Sequence, residues 1–577
     1  MSDLNLEIRK FVLENAIRYS GTPDAKSVMS ALLGARADLR SRASEVKAIV
    51  ERTVTEVGKL SLEQQQSLLA EIAPEMLGQE AESKIGPKGL PDLPNLSSWP
   101  KVVMRMAPFP SGPLHIGNSR MVILNDYYVQ RYNGKLILVY DDTIGSEEKV
   151  LEPDAYDLIR EGLEYLGVKY HQTIYKSDRL DVFYRYAVDL ISNSQAYVCT
   201  CDAEVWRKQN KVKGKPCACR DLSPEENLAR WEKMVDGSYT VKAAAVRLKT
   251  GMDLPDPALR DHVILRISEA PHPRVGTKYR VWPLLEFSWG IDDHELGISH
   301  IIRGKDLVKE GKIEEFVWNI YGWPHPELLY YGKLRFEDAT LSKSKSRKEV
   351  KSGAYSGWDD PRTWSMQSLA KRGIEAQALR KVMLDLGLSM VDISISMKAV
   401  YSENRKLKDA EAPRLFYVDD PVWLGLTRVP AEIREADAPI HPDFPERGNR
   451  HIPLVRKGTK LAVGISDLDY QRFEDGQIFR LKDFANFTLK KGPTPSAGFH
   501  SREVERAREA NASIIHWVPK EGRVGVEMTW ADGNRTAGFA EPSVSGVAAG
   551  TLVQFERVGF ARIYEISPSI RAAFAHK

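Results

Sequence analysis

Hydrophobic positions recur at helical spacing over the first 80 residues of the chain. One predicted helix there has a single apolar face, formed by Leu4, Ile8, Phe11, Val12 and Ala16. Ser61 and Gln64 have the spacing of a capping box and predict the start of a later helix. Because this region carries no recognisable chemistry, residues 1–80 are predicted to be a helical extension that packs or contacts another protein.

A break follows at residues 81–100, where prolines and glycines are frequent. Pro87, Pro91, Pro94 and Pro100 disfavour both helix and sheet, since proline has no backbone donor. This segment is predicted to be a linker.

From residue 101 to 198, short apolar runs alternate with amphipathic segments. The pattern predicts strands at 102–106 and 136–140 and helices at 118–132, 154–166 and 180–194. Such alternation is typical of a parallel sheet, which binds ligands at the carboxyl ends of its strands. Arg105, His115 and Asp141 are predicted to lie at those ends.

The segment 105–120, RMAPFPSGPLHIGNSR, joins the first predicted strand to the first predicted helix. Three prolines make its loop sharp, and the loop ends with a histidine and a glycine at the start of the helix. Free backbone N–H groups and the positive end of the helix dipole at that place suit an anion. An ordinary turn with an incidental histidine is the alternative.

The alternation stops between residues 199 and 280, which contain all of the cysteines: Cys199, Cys201, Cys217 and Cys219. Four sulfur ligands are typical of a structural zinc site because they leave no coordination position open, although C-x-C is tighter than the usual spacing. Four unrelated buried thiols are the alternative, which the clustering disfavours. The lysines around the second pair either contact nucleic-acid phosphates or solvate the loop.

Strand patterns return at 281–287, 297–306 and 328–331, with a helix at 310–321, and predict the second half of the interrupted sheet. The next segment, TLSKSKSRK at 340–348, is rich in cations. It is either a mobile clamp for a polyphosphate or a solvated basic loop. Residues 353–410 are predicted to be helical again.

Short strands with frequent glycine and proline are predicted from residue 413 to the end, at 460–465, 476–482, 514–518, 524–528 and 552–555. Their spacing predicts one or two antiparallel barrels. Basic and aromatic residues mix around 480–491, as an RNA-stacking surface requires. Ordinary barrel composition would also produce this mixture.

The composition narrows the class of protein. A chain of 577 residues is too long for one core, and its net charge of +3 makes any basic surface local. No apolar run reaches the roughly 20 residues of a membrane helix, and the N-terminus lacks the apolar block of a signal peptide. Few cysteines argue against a secreted protein with many disulfides. A cytoplasmic enzyme or RNA-handling protein with no membrane partner is favoured.

Four motifs occur in order along the chain: PSGPLHIG, the DDT after the second strand, IRGKD and LSKSK. They resemble the signatures of the class I aminoacyl-tRNA synthetases, in the glutamyl/glutaminyl branch. LHIGN stands for the HIGH signature of that class, and LSKSK stands for its KMSKS signature. GWDDPRT, FEDGQIFRLKDFANF and VQFERVGF are similar to archaeal members of the glutamyl branch, so the resemblance covers roughly residues 85–577.

The resemblance implies an α/β fold with a Rossmann-like catalytic domain in two halves, 101–198 and 281–340. It also implies a zinc-bearing acceptor-binding insertion at 199–280 and a lysine loop with a helical stem-contact domain at 341–412. Residues 413–577 would form antiparallel β-barrels that bind the anticodon.

The implied reaction is activation of an amino acid by ATP with Mg²⁺, followed by transfer to the 3′ end of tRNA. PSGPLHIG favours the glutamyl side of the branch, which implies glutamate and tRNA(Glu) as substrates. Whether tRNA(Gln) is also charged stays open. The alternatives are a glutaminyl enzyme and a catalytically inactive tRNA-binding paralogue. The enzyme is expected to be a monomer.

The resemblance also assigns roles to individual residues. The expected catalytic groups are His115, Asn118, Lys343 and Lys345. The expected ATP contacts are Pro113, His115, Gly117, Asn118, Ser342 and Lys343. The expected amino-acid contacts are Arg105, Ala107, Asp141 and Arg303. The chain departs from the motifs of the family at Phe109, Asn118 and Leu285, where a polar residue, a histidine and a tyrosine are usual.

Overall fold

A computed structural model describes residues 3–18, 22–73, 90–145, 150–458 and 460–577. The chain divides into two compact units, the first formed by Met1–Pro91 with Asp385–Gly387, and the second by the rest. Residues 81–89 of the predicted linker lie outside the described residues. Within the described part of the chain, no helix has both the length and the apolar composition needed to cross a membrane.

The first unit is helical, as predicted. Its α-helices are Asp3–Arg18, Ala25–Ala35, Ala43–Val57 and Leu62–Ile72. Ile8, Val12 and Ala16 from the predicted apolar face are fully buried in its core. The predicted capping box is confirmed, because Gln64 N donates to Ser61 Oγ at 3.3 Å and Ser61 N donates to Gln64 Oε1 at 2.9 Å.

The second unit begins with a parallel sheet, also as predicted. Its first three strands are Val103–Met106, Lys135–Tyr140 and Gln172–Tyr175. A further parallel pair, His300–Gly304 and Glu327–Tyr331, lies beside the first strand, where Ser299 N donates to Val103 O at 2.9 Å. The helices that alternate with these strands are Ile116–Arg131, Ala155–Tyr165, Leu180–Ser192, Leu285–Glu295 and Val308–Tyr321.

The strand predicted at 281–287 is wrong beyond its first three residues. Val281–Pro283 is a strand, but it pairs with Val263–Ile267 in an antiparallel sheet rather than with the parallel sheet. The other strands of that sheet are Ala196–Cys199 and Ala245–Leu248. The helix Leu285–Glu295 begins immediately afterwards and is buried on nearly every side. A helix without a polar face has no helical periodicity, so its apolar run cannot be distinguished from a strand in the sequence.

Helices also surround this antiparallel sheet and follow the lysine loop. Beside the sheet lie Ala203–Trp206, a π-helical turn at Arg207–Lys211, and Pro224–Val235. After the parallel sheet come the helices Lys343–Lys351, Met366–Arg372, Ala376–Asp385 and Met397–Lys408. The short strands Leu334–Phe336 and Ile393–Ile395 pair with each other in parallel.

The C-terminal region contains two seven-stranded sheets. The strands of one sheet, in spatial order, are Arg414–Leu415, Leu552–Phe555, Gly559–Glu565, Ile570–His576, Val524–Thr529, Arg535–Ala540 and Tyr417–Asp419. Those of the other are Ser513–Ile515, Ile478–Leu481, Ala485–Lys490, Ser496–Ser501, Pro421–Thr427, Leu461–Ser466 and Val518–Pro519. A two-stranded hairpin, Glu435–Pro439 with Asn449–Pro453, and the short helices Asp467–Arg472 and Val504–Glu509 complete the region.

Each C-terminal sheet approaches a barrel. In the first, Arg414–Leu415 and Tyr417–Asp419 are neighbours in sequence but lie at opposite ends of the strand order, which brings the two sheet edges together. The predicted antiparallel pairing is confirmed for eight of the twelve neighbouring strand pairs in these two sheets, and the other four pairs are parallel. Val524–Thr529 pairs in parallel with Ile570–His576, for example, because these two strands are separated in the sequence by other strands and are not joined by a tight turn.

Candidate active site

The turn at 105–120 places a hydrogen-bonded histidine at the start of the helix Ile116–Arg131. Gly117 N donates to His115 Nδ1 at 3.1 Å, and His115 N donates to Asn118 Oδ1 at 3.1 Å. Since Nδ1 of His115 accepts, the neutral ring carries its proton on Nε2. The amide of Asn118 likewise keeps Nδ2 as its donor. Two side-chain donors are thus available at a helix N-terminus.

His115 is neutral at physiological pH. Burial, together with the positive charge of Lys343, lowers the pKa of His115 to about 3. A neutral imidazole that donates from Nε2, beside a lysine ammonium, is suited to an oxyanion rather than to a cation. The predicted anion site at this turn therefore has both hydrogen-bond donors and positive charge.

The lysine loop reaches this turn from a distant part of the sequence. Leu341 Cδ1 lies 3.1 Å from the position that a Cβ on Gly117 would take. Ser342 caps the helix Lys343–Lys351 by accepting from Lys345 N at 3.3 Å. The side chain of Lys345 is exposed, whereas that of Lys343 is half-buried. The structure therefore brings the two predicted signature segments together, with Lys343 on the side of His115.

Backbone contacts fix the turn from the other side. Ile116 N donates to Trp364 O at 3.0 Å, and Met366 N donates to Leu114 O at 2.9 Å. The loop residue Pro113 is buried.

A second cluster of charged residues is buried, and it contains three cations that are each paired with a carboxylate. Arg105 donates through Nε and Nη2 to Asp293, the second bond being 2.8 Å. Lys176 Nζ lies 3.2 Å from Asp141 Oδ1. Arg303 donates to both oxygens of Glu314, at 2.8 and 2.9 Å. The cluster thus contains three of the four residues that the sequence assigns to the amino acid; Ala107 is half-buried against the neighbouring core.

Trp289 lies at the centre of this cluster. The centroid of its ring is 4.5 Å from Arg105 Cζ, 5.1 Å from Lys176 Nζ and 5.3 Å from Arg303 Cζ. An aromatic face attracts cations at such distances, so Trp289 holds the three positive groups around one space.

Several buried polar atoms of the cluster have no hydrogen-bond partner among the residues that the structure describes. Two are donors, Arg303 Nε and Trp289 Nε1, and one is an acceptor, Asp292 Oδ2. Leaving such an atom unpaired costs about 1–3 kcal/mol. The unpaired donors and the unpaired acceptor in one cluster are complementary to a ligand with both a carboxylate and an ammonium group.

Burial changes the pKa values of ionisable groups in the cluster. Burial raises the pKa of Glu314 to about 7, with a further contribution from the nearby charge of Asp293. Burial also raises the pKa of Asp292 and lowers that of Lys176. Glu314 is therefore the carboxylate of this cluster that titrates near neutral pH.

The strand end that carries Asp141 is held by its neighbour Asp142. Ser177 N donates to Asp142 Oδ1 at 2.9 Å, and Tyr156 Oη donates to Asp142 Oδ2 at 3.1 Å. His272 from the inserted sheet is hydrogen-bonded through Nε2 to Asp142 O at 2.7 Å. These bonds fix the backbone from which Asp141 projects.

The predicted metal ligands lie together in the insertion. The sulfur atoms of Cys199, Cys201, Cys217 and Cys219 are all within 4.8 Å of one another, and none forms a disulfide. A tetrahedral zinc ion with Zn–S bonds of about 2.3 Å needs sulfur atoms about 3.8 Å apart. Cys199 and Cys217 are 4.0 Å apart, and Cys201 and Cys219 are 3.9 Å apart, so the thiols fit such an ion.

A nearby cation and a lowered pKa add to this fit. Arg230 donates to Cys219 Sγ at 3.3 Å, which stabilises a thiolate. Hydrogen bonding with the Cys199 thiol lowers the pKa of Cys217 to about 5. The pKa of Cys219 is lowered as well, whereas the pKa values of Cys199 and Cys201 are raised, so the anionic character that zinc requires lies on the second cysteine pair.

Sequence reasoning missed six residues of the buried cluster: Lys176, Arg179, Trp289, Asp292, Asp293 and Glu314. Nothing in the sequence distinguishes Asp293 or Glu314 from charges that face solvent, because each stands in a segment with several other ionisable residues. Nothing in the sequence marks Trp289, because a tryptophan in an apolar run is usual in a core.

Comparisons with known proteins agree with the motifs. Residues 101–409 match the family described as tRNA synthetases class I (E and Q), catalytic domain. Residues 412–499 and 514–564 match two families of anticodon-binding domains from the same synthetases. The family resemblance that the four motifs indicate is thereby confirmed.

Relatives from archaea match over nearly the whole chain. A glutamate–tRNA ligase of Methanococcus maripaludis strain C7 is 40% identical over 560 residues, which are 97% of each chain. That of Pyrococcus abyssi is 42% identical over 574 residues, 98% of this chain and 99% of the relative. Among solved structures, a glutamate tRNA ligase from Elizabethkingia meningosepticum in complex with its amino acid matches in part. It is 19% identical, with a TM-score of 0.37, and the match covers 54% of this chain and 70% of that one.

Proposed function

Because this chain belongs to the class I tRNA synthetases of the glutamate and glutamine (E and Q) branch, we propose that it is a glutamate–tRNA ligase. It activates glutamate with ATP and transfers the glutamyl group to the 3′ end of tRNA(Glu). In the first step a glutamate carboxylate oxygen attacks the α-phosphorus and pyrophosphate leaves. In the second step a hydroxyl of the terminal ribose attacks the acyl carbon and AMP leaves.

The observation that carries this proposal is that two clusters lie at the carboxyl ends of neighbouring parallel strands. His115 and Lys343 form an anion site after the first strand, while Arg105, Asp141 and Arg303 surround a buried cluster at the ends of three strands. An adenylate-forming enzyme needs both a polyphosphate site and a carboxylate site within reach of each other.

The residues of the first cluster would act on ATP. His115 Nε2 and Asn118 Nδ2 donate to phosphate oxygens, and Gly117 lets the nucleotide approach the backbone. Lys343 neutralises charge that builds up on the α-phosphate and on the pyrophosphate. Ser342 holds the first turn of the lysine helix, and Lys345 remains on the exposed side. Mg²⁺ accompanies the nucleotide and neutralises its phosphates.

The residues of the second cluster would bind glutamate. Asp141 pairs with the substrate ammonium, and Arg105 and Arg303 face its carboxylates. The unpaired Arg303 Nε supports this assignment, since a carboxylate of the ligand provides a partner for it. Ala107, in the loop after the first strand, is proposed as a further contact of the amino acid.

The four cysteines would hold a structural zinc ion in the insertion, which is proposed to contact the acceptor stem. The C-terminal sheets are proposed to contact the anticodon of tRNA(Glu). Charging of tRNA(Gln) depends on those anticodon contacts. An enzyme of translation acts on a cytoplasmic tRNA, and we place this one in that compartment.

Isotope exchange between pyrophosphate and ATP tests the proposal, with tRNA present and with glutamate, glutamine or no amino acid. Exchange is expected with glutamate alone. Exchange with glutamine would instead support the glutaminyl alternative. No exchange with either amino acid would support a catalytically inactive tRNA-binding paralogue.

A further inference from the structure

The buried cluster around Trp289 is electrically balanced before any substrate arrives. Each of its cations has its own carboxylate: Arg105 pairs with Asp293, Lys176 with Asp141, Arg179 with Asp292, and Arg303 with Glu314. All of these groups except Arg179 are almost completely buried. Balanced pairing lowers the cost of burying the charges, but it leaves no surplus positive charge for a ligand.

The proposed substrate is not balanced. Glutamate has two carboxylates and one ammonium group, so it carries one net negative charge at neutral pH, whereas glutamine carries none. If every group of the cluster stays ionised, glutamate adds an uncompensated charge to a site with little access to water. Such a charge is expensive in a buried site, and the usual response of a protein is a change in protonation. A cluster in which every charge is balanced therefore favours the neutral glutamine over glutamate.

Glu314 is placed to correct this imbalance. It is fully buried on the helix Val308–Tyr321 and holds both terminal nitrogens of Arg303. The groups that face it from the elements packed around it are Arg303 and Tyr330 on the neighbouring strands, Asp293 on the adjacent helix, and Arg105 on the first strand. One of these is a second anion.

Two further observations point to Glu314. Burial raises the pKa of Glu314 to about 7, so taking up a proton there requires little free energy at neutral pH. Arg303 Nε is buried and has no hydrogen-bond partner among the described residues, so this arginine has a donor left for a second carboxylate. When Glu314 is protonated, the positive charge of Arg303 is no longer compensated and can pair with that carboxylate.

We propose that Glu314 sets the charge of the amino-acid pocket: glutamate binds together with one proton, which Glu314 takes up from solvent, whereas glutamine binds without one. The inference rests on the proposed function. Glu314 acts through Arg303 and is a positioning residue that determines specificity, not a catalytic residue. In the step itself, a solvent proton forms an O–H bond with the Glu314 carboxylate, and no other bond is made or broken.

The first test uses the unaltered, full-length enzyme. The kcat/KM for charging tRNA with glutamate and with glutamine is measured from pH 6 to 8.5. Above pH 7 the ratio of glutamate to glutamine is expected to fall by up to about tenfold per pH unit, as uptake of one proton requires. Using the ratio cancels titration of the tRNA, of ATP and of the α-amino group that both amino acids share. A ratio that stays constant over this range overturns the inference.

The second test uses variants of the helix that carries Glu314. Glu314→Gln is isosteric and permanently neutral, so its ratio is expected to be independent of pH, and its KM for glutamate at pH 8.5 is expected to be below that of the unaltered enzyme. Glu314→Asp keeps a titratable group and should keep the pH dependence. Glu315→Gln, on the next residue of the same helix, is the matched control and should behave as the unaltered enzyme. Retention of the full pH dependence in Glu314→Gln contradicts the inference.

The outcomes separate this inference from the function on which it rests. If the unaltered enzyme does not charge tRNA with glutamate at any pH, the proposed function fails. If it charges tRNA with glutamate but the ratio of kcat/KM for glutamate to that for glutamine does not change with pH, only the proposed role of Glu314 fails. Should Glu314→Gln not fold, the pH series on the unaltered enzyme decides alone.

Discussion

The ammonium group of Lys343 lies close enough to the His115 imidazole to contribute to the low pKa of that ring. The two residues come from opposite ends of the catalytic region and carry the two signature motifs. Leu341, two residues before Lys343, packs over Gly117, two residues after His115. A helix N-terminus, a neutral imidazole donor and a lysine thus meet at one place, as a site for a polyphosphate requires.

This contact predicts which lysine of the loop works on ATP. Lys343→Ala is expected to reduce the rate of pyrophosphate exchange by roughly 10²–10³, which is typical for loss of one charged group that stabilises a transition state. Lys345→Ala is expected to reduce it less than about tenfold, because exposed charges are screened by solvent. Exchange rates of the two variants at saturating tRNA check this. A larger loss in Lys345→Ala than in Lys343→Ala would show that the loop moves in the working enzyme.

Gly117 is predicted to tolerate no side chain. A Cβ there would lie 3.0 Å from His115 Cε1 and 3.1 Å from Leu341 Cδ1, so Gly117→Ala should push apart the two motifs. We expect the KM for ATP to rise about tenfold or more, since small misplacements at a reacting centre are costly. Gly525→Ala is the matched control, because a Cβ at Gly525 meets nothing within 4 Å. An unchanged KM for ATP in Gly117→Ala would mean that the nucleotide does not approach this glycine.

The sequence allowed the nucleotide side of the site to be predicted because that side is local. The loop, the cap and the start of the helix lie within the sixteen residues 105–120, and their prolines, histidine and glycine mark the turn directly. The amino-acid side was predicted only in part. Arg105, Asp141 and Arg303 belong to motifs, but their partners Asp293, Lys176 and Glu314 come from elements whose contacts depend on the folded sheet.

The same distinction explains the errors in the fold. The strand predicted at 281–287 is largely helix because burial on all sides removes the period that identifies a helix. Parallel pairs in the C-terminal sheets were missed because pairing between distant strands leaves no mark on either strand. Local chemistry is therefore visible in this sequence, while long-range pairing is visible only in the structure.

The cysteine cluster is predicted to hold about one zinc ion per chain. Elemental analysis of the purified protein should find this metal, and Cys217→Ser should lose it together with most of the tRNA charging activity. Ser223→Ala, which removes a helix cap in the same insertion, is the control that should keep its zinc. Protein that is free of metal yet fully active and equally stable to heat would show that the four thiols are structural without an ion.

Arg372 is predicted to fasten the last strand of the chain. It is buried, donates from Nε to Phe574 O at 3.0 Å and from Nη2 to Ala575 O at 2.6 Å, and its guanidinium lies 5.2 Å from the ring centroid of Trp364. Arg372→Ala should weaken protection of the Ile570–His576 amides against hydrogen exchange by about 2–3 kcal/mol, since bonds from a charged donor are lost.

A control variant on a nearby helix distinguishes loss of the Arg372 hydrogen bonds from the general effect of removing a positive charge. Lys398→Ala removes an exposed cation and should change the same protection by less than about 0.5 kcal/mol. Because Trp364 O accepts from Ile116 N at 3.0 Å, Arg372→Ala should also raise the KM for ATP. Equal protection in the two variants would mean that other contacts hold the strand.

The central claim is that this enzyme attaches glutamate, rather than glutamine, to tRNA. Incubation of the full-length protein with ATP, Mg²⁺, total tRNA and either labelled glutamate or labelled glutamine tests it most directly. At pH 7 labelled glutamate is expected to appear on tRNA(Glu), with glutamine incorporated at least about 10²-fold less efficiently, since the pocket is built to bind a second carboxylate. Preferred incorporation of glutamine, or no incorporation of either amino acid, would contradict the account.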